Sequence, residues 1–120
     1  MTLQEREARA CAIIDSMTEE LRDISLYLHD NPELGLNEHK AVKVINQFLE
    51  THNFTSQVGL TDLPELQTAL RGDYNGTAQH KIAFLGEYDA LPELGHGCGH
   101  NLIAMMSLGA AIAFSQSAPE

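Results

Sequence analysis

The sequence predicts an α/β layer architecture within its 120 residues. Three observations carry that prediction. Apolar residues recur at helical spacing through the first 28 positions. Residues 81–86 (KIAFLG) form a continuous apolar run of strand length. The segment after His100 is apolar almost all round.

Thr2 with Glu5 three positions later reads as a capping box. Behind it Cys11, Ile14, Met17, Leu21, Ile24 and Leu28 follow one another by three or four, which predicts one amphipathic helix over 3–28. Cys11 falls on its apolar face and reads as a small buried hydrophobe rather than a redox group. Asn31-Pro32 ends the helix, because the residue before proline avoids the α region. Asn37 is placed to cap a second helix running to about residue 52, with Ala41, Val44, Ile45 and Phe48 inward. Phe54, Ser56 and Val58 alternate as in a short strand, and residues 67–71 offer another. Asn75-Gly76 is a hairpin signal. The unbroken apolarity of 81–86 predicts a strand covered on both faces. Residues 101–114 should form a buried helix, with a solvated tail over 115–120.

Seven Lys and Arg against seventeen Asp and Glu give a net charge of −10. The basic residues are scattered, so neither nucleic acid nor an anionic membrane is an expected partner. No apolar run approaches the roughly 18 residues of a membrane span. The N-terminus shows no basic stretch followed by an apolar one, and two cysteines make no disulfide framework. The expectation is a soluble protein of the reducing cytoplasm.

Chemistry concentrates in residues 86–101 (GEYDALPELGHGCGHN). The predicted strand ends at two carboxylates, Glu87 and Asp89, and in α/β proteins ligands bind at the carboxyl ends of strands. His96, Cys98 and His100 follow at alternate positions between glycines, which let the backbone turn tightly near an ion. Cys98 and His100 are donors that zinc prefers, and alternate positions of an extended segment share a side. Spacing alone leaves a glycine-rich turn around a buried thiol equally open. Asp89 reads either as a carboxylate orienting an imidazole or as a strand-end turn residue. His96 reads as an ordinary loop histidine and Glu87 as a solvated carboxylate. His29 suits the C-terminus of a helix dipole. His39, His52 and His80 have no informative context. A Cys98–histidine nucleophile pair ranks below metal binding, since residues two apart in an extended loop rarely bond side chain to side chain.

The segment FLGEYDALPELGHGCGHN resembles the site segment of the amidohydrolases of metallopeptidase family twenty, in the branch of aminobenzoyl-glutamate hydrolases, amino-acid-conjugate hydrolases and dipeptidase-like proteins. Upstream, LHDNPELGLNEHKA is similar to the same family, in the same order. The resemblance implies a zinc-aminopeptidase-like, three-layer α/β/α catalytic domain, of which residues 1–120 are an N-terminal segment; a dimerisation domain and a homo-oligomer go with it. It implies a two-metal centre of zinc or manganese, a thiolate ligand tilting towards zinc. Cys98 and His100 match metal ligands, and Asp89 matches a residue supporting the centre. Glu87 stands where other branches have a metal-binding His, so no ligand role passes to it. The family's general-base Glu, its neighbouring ligand Glu and two more His ligands lie beyond this sequence. The function implied is hydrolysis of an amide bond in a small N-acyl amino acid, dipeptide or aminobenzoyl-glutamate-like substrate. A fragment without catalysis, serving binding or assembly, is the alternative.

Overall fold

The computed structural model describes residues 1–60 and 62–117. The elements are α1 (Leu3–Ser16), α2 (Thr18–Asp30), α3 (His39–Thr51), β1 (Thr55–Val58), β2 (Leu70–Asp73) and α4 (His100–Ser117). This is a small mixed helix and strand unit, compatible with an α/β class.

The capping box forms as expected: the Thr2 hydroxyl accepts from Glu5 N, and Thr2 N donates to Glu5 Oε2 at 2.6 Å. The single helix expected over 3–28 is two helices. At Met17 the backbone N–H turns to Ile14 O at 3.0 Å. On its N-terminal side the Ser16 hydroxyl takes Ile13 O at 2.6 Å. Hydroxyls competing for helix carbonyls loosen the ladder there. The joint turns Met17 into the core while Cys11, expected to be buried, is exposed. Helix α1 itself buries no residue.

The core is built by α2, α3 and α4. Ile24 and Leu28 meet Ala41, Ile45, Phe48 and Leu49, and α4 supplies Ala104, Met105, Leu108 and Ile112. The expected inward face of the second helix holds, but its cap is not Asn37. The Glu33 carboxylate reaches across the turn and accepts from Lys40 N at 2.9 Å and Ala41 N at 2.8 Å. An anion there also answers the positive end of the α3 dipole.

Strands β1 and β2 pair antiparallel, Thr55 opposite Asp73 and Val58 opposite Leu70. The hairpin expected at Asn75-Gly76 is absent, because β2 pairs backwards with β1. Residues 81–86, expected as a strand buried on both faces, lie outside any strand of the described residues and are exposed, Leu85 at 89%. A strand exists only where a neighbour completes its ladder, and no described segment offers one here. Helix α4 extends through Ser115 and Ser117, both buried, where a solvated tail was expected; residues 118–120 of that tail lie outside the described residues. One side of α4 stays open, with Leu102, Met106 and Phe114 exposed. The radius of gyration is 15.0 Å, above the roughly 13.6 Å of a closed domain this long.

Candidate metal centre

Two loops are tied together before any side chain is considered. Ala90 N donates to Glu33 O at 2.7 Å, and Leu34 forms a parallel bridge with Ala90. The PELG and DALP segments, 57 positions apart by Glu33 and Ala90, are thus neighbours in space.

Helix α4 fixes the other side. Gly99 has φ +75°, a left-handed conformation that glycine adopts without strain, and it turns the chain into the helix at His100. Asn101 is buried and donates from Nδ2 to Ser25 Oγ at 3.2 Å, pinning the first turn of α4 to α2. Segment 84–89 runs antiparallel to α4. Ser107 donates to Leu85 O at 2.5 Å, and Phe84 packs on Phe114 with ring centroids 6.0 Å apart. Gly86 lies so close that a Cβ there would meet Ser107 Oγ at 2.9 Å.

That register delivers both carboxylates to one imidazole. His100 Nδ1 lies 2.8 Å from Asp89 Oδ1 and 3.0 Å from Asp89 O. His100 Nε2 lies 3.1 Å from Glu87 Oε2. The His100 side chain is 18% exposed and Glu87 68%. Each ring nitrogen thus faces a carboxylate oxygen, Asp89 at Nδ1 and Glu87 at Nε2. This is the carboxylate–histidine arrangement that orients a metal-binding imidazole.

Asp89 and His100 are therefore brought together, whereas Cys98 is a free, exposed thiol on the preceding loop. Among the described residues no group of three His, Cys, Asp or Glu side chains gathers around one point. His96 is a half-buried loop histidine whose Nδ1 has no hydrogen-bond partner. Burial pushes its pKa down, His100 and His29 add to that, and the Leu28 carbonyl and Asp89 pull the other way.

Sequence reading passed over the polar chain behind segment 84–89. Tyr88 donates its hydroxyl to Thr68 O, and the Thr68 hydroxyl donates to the buried Glu38 carboxylate, which also accepts from Leu36 N at 3.0 Å. Burial, with Glu38 nearby, raises the Tyr88 pKa to about 12, so the phenol keeps its proton and remains a donor. Glu38, Thr68, Tyr88, Glu87 and Asp89 line one open cleft. The signal for Glu38 was an acid one residue before an apolar helix face, which pattern reading assigns to solvent.

No protein-family model matches the chain. The Xaa-Arg dipeptidase of Mus musculus is 37% identical over 110 residues, covering 87% of this chain and 26% of that protein. The Homo sapiens Xaa-Arg dipeptidase is 34% identical over 113 residues with the same coverages. A p-aminobenzoyl-glutamate hydrolase chain of Escherichia coli K12 is 31% identical over 117 residues, covering 83% of this chain and 24% of that protein. The chain spans about a quarter of the length of these curated relatives. It is homologous to a stretch of the amidohydrolases and peptidases of metallopeptidase family twenty, in the branch of these dipeptidases and aminobenzoyl-glutamate hydrolases.

Proposed function

We propose that this chain is a segment of the three-layer α/β/α catalytic domain of a metal-dependent amidohydrolase. Its substrate would be a small N-acyl amino acid, dipeptide or aminobenzoyl-glutamate-like amide. The observation that carries the reading is His100, held on Nδ1 by Asp89 with Nε2 against Glu87 at the end of segment 84–89. The donor chemistry fits a zinc-type ion: an oriented imidazole, an exposed thiol two residues away and a carboxylate within reach. Manganese is the second choice, and the two free cysteines suit a reducing cytoplasm.

In the complete enzyme His100 and Cys98 would hold metal. A bound divalent pair supplies Lewis-acid polarisation of the scissile carbonyl and lowers the pKa of a bound water. Asp89 keeps the His100 ring in one tautomer and orientation, acting as a positioning residue and not as a base. The cleft carries Glu38, Glu87 and Asp89 and no basic residue. That favours a substrate bearing positive charge over a diacid, consistent with the dipeptides named by the mouse and human relatives. One observation favours the non-catalytic alternative: three donors do not meet among the described residues.

Assays of the whole protein decide between them. Metal-dependent turnover of an Xaa-Arg dipeptide, lost with chelator, supports the enzyme; its absence across dipeptides, N-acyl amino acids and aminobenzoyl-glutamate supports the binding module. In the active protein Cys98→Ser is expected to lower zinc occupancy by elemental analysis, because a hydroxyl is a far poorer ligand than a thiolate. Unchanged occupancy would remove Cys98 from the ligand set. Asp89→Asn is expected to cut turnover by about 10–100-fold, and a wild-type rate would refute its orienting role.

A further inference from the structure

We infer that Tyr88 is a positioning residue: anchored through Thr68 on the buried Glu38 carboxylate, it fixes the stretch of chain that sets Asp89 against His100. The inference deepens the amidohydrolase reading and rests on it for the effect on turnover. Segment 84–89 belongs to no strand of the described residues, so no ladder holds it, and its place depends on single tethers. Ser107 holds it at Leu85 O, and Glu33 O holds Ala90 N just past its end. Tyr88 supplies a tether between these two, its hydroxyl donating to Thr68 O. Alternate residues of an extended segment face opposite ways. Glu87 and Asp89 meet the His100 ring, while Tyr88 turns the other way and packs against the core of α2, α3 and α4.

The acceptor of that tether is itself fixed. Thr68 is 3% exposed, and its hydroxyl donates to Glu38, which is 8% exposed. The other Glu38 oxygen accepts from Leu36 N at 3.0 Å. A buried polar group that loses its partner is costly, so each member holds the next to one arrangement. Leu36 has φ +71°, a left-handed backbone that leucine adopts only under constraint. One carboxylate thus ties together the turn before α3, the approach to β2 and the segment that carries Asp89. Asp89 is the residue after Tyr88, and its Oδ1 stands 2.8 Å from His100 Nδ1. A small shift of the segment is enough to lengthen that bond.

Tyr88→Phe keeps the packed ring and removes only the tether. In the whole protein, with its best substrate among dipeptides, N-acyl amino acids and aminobenzoyl-glutamate, it is expected to lower kcat about tenfold and leave KM within about twofold. Thr68→Val should reproduce the loss, and Thr68→Ser, which keeps the hydroxyl, should retain the parent rate. Because Tyr88 acts through Asp89, the Tyr88→Phe/Asp89→Asn double variant should be no slower than Asp89→Asn alone. A Tyr88→Phe variant that melts lower yet keeps the parent kcat, that raises KM alone, or that adds its full loss to that of Asp89→Asn overturns the inference. A parent protein that hydrolyses none of these amides refutes the amidohydrolase reading, and the metal-free protein then decides the inference by itself. With isotope-labelled histidine, Tyr88→Phe should shift the His100 Nδ1 resonance in the direction that Asp89→Asn does, and Thr68→Ser should leave it in place. An unmoved resonance in Tyr88→Phe overturns the inference.

Discussion

Gly86→Ala is expected to weaken zinc binding by the whole protein about 10–100-fold and to lower the stability of this chain by about 1–3 kcal/mol. The added methyl would sit 2.9 Å from Ser107 Oγ and 3.0 Å from Ser107 Cβ. Neither atom can withdraw freely, because Ser107 belongs to the middle of α4 and its hydroxyl is bonded to Leu85 O. The segment must lift away from the helix instead. Residues 87 and 89 lie one and three positions on, so any lift moves Glu87 Oε2 and Asp89 Oδ1 off the two nitrogens of His100. A second change separates this cause from general destabilisation. Ser107→Gly removes both clashing atoms, and the remaining neighbour, Ala104 Cα at 3.6 Å, is an ordinary contact. The Gly86→Ala/Ser107→Gly double variant should therefore recover part of the zinc affinity, the rest being lost with the Ser107–Leu85 hydrogen bond. It would do so despite the roughly 1 kcal/mol cost of glycine inside a helix. Parent affinity in the single variant, or no recovery in the double, would show that this close approach does not set the site.

The sequence made legible what depends on neighbours in the chain. Helical periodicity located the inward faces of α2 and α3, and the capping box formed at Thr2. The chemistry-bearing segment, with Asp89 beside His100, was also legible, because glycines and ligand-type residues stand close together there. What failed depends on distant partners. The break at Met17 falls where a uniform spacing gives no warning. Glu33 as the cap of α3 is a side chain seven positions from the nearest helix N–H that donates to it, Lys40 N. Residues 81–86 read as a strand by composition, but a strand is a relation between two segments, and apolarity states only that a partner is wanted. Glu87, read as a solvated carboxylate, is 68% exposed, and its approach to His100 Nε2 depends on the turn of α4 opposite it, which no local pattern encodes.

That unmet demand gives the second large effect. The 120-residue chain should self-associate and should show no enzymatic amide hydrolysis by itself. Ile82, Leu85, Leu102 and Met106 are each more than half exposed, and Phe84 and Phe114 stack beside them without being covered. Together they place a row of apolar side chains on segment 82–85 and the outer side of α4. Soluble monomers rarely leave such a row to water. Elsewhere the surface carries the net charge of −10, which repels a second copy, so association should run through this face. Light scattering should report at least twice the monomer mass, and sulfate, which strengthens apolar burial and screens the charge, should raise it further. Leu85→Lys/Met106→Lys should return the chain towards a monomer with little loss of stability, since both side chains already face solvent. Hydrolysis is not expected from the chain alone because a catalytic zinc normally takes three protein ligands, and the described residues gather fewer around one point. A monodisperse monomer at high concentration would show that the apolar row is tolerated. Metal-dependent turnover abolished by Cys98→Ala would show that these 120 residues already contain a complete site.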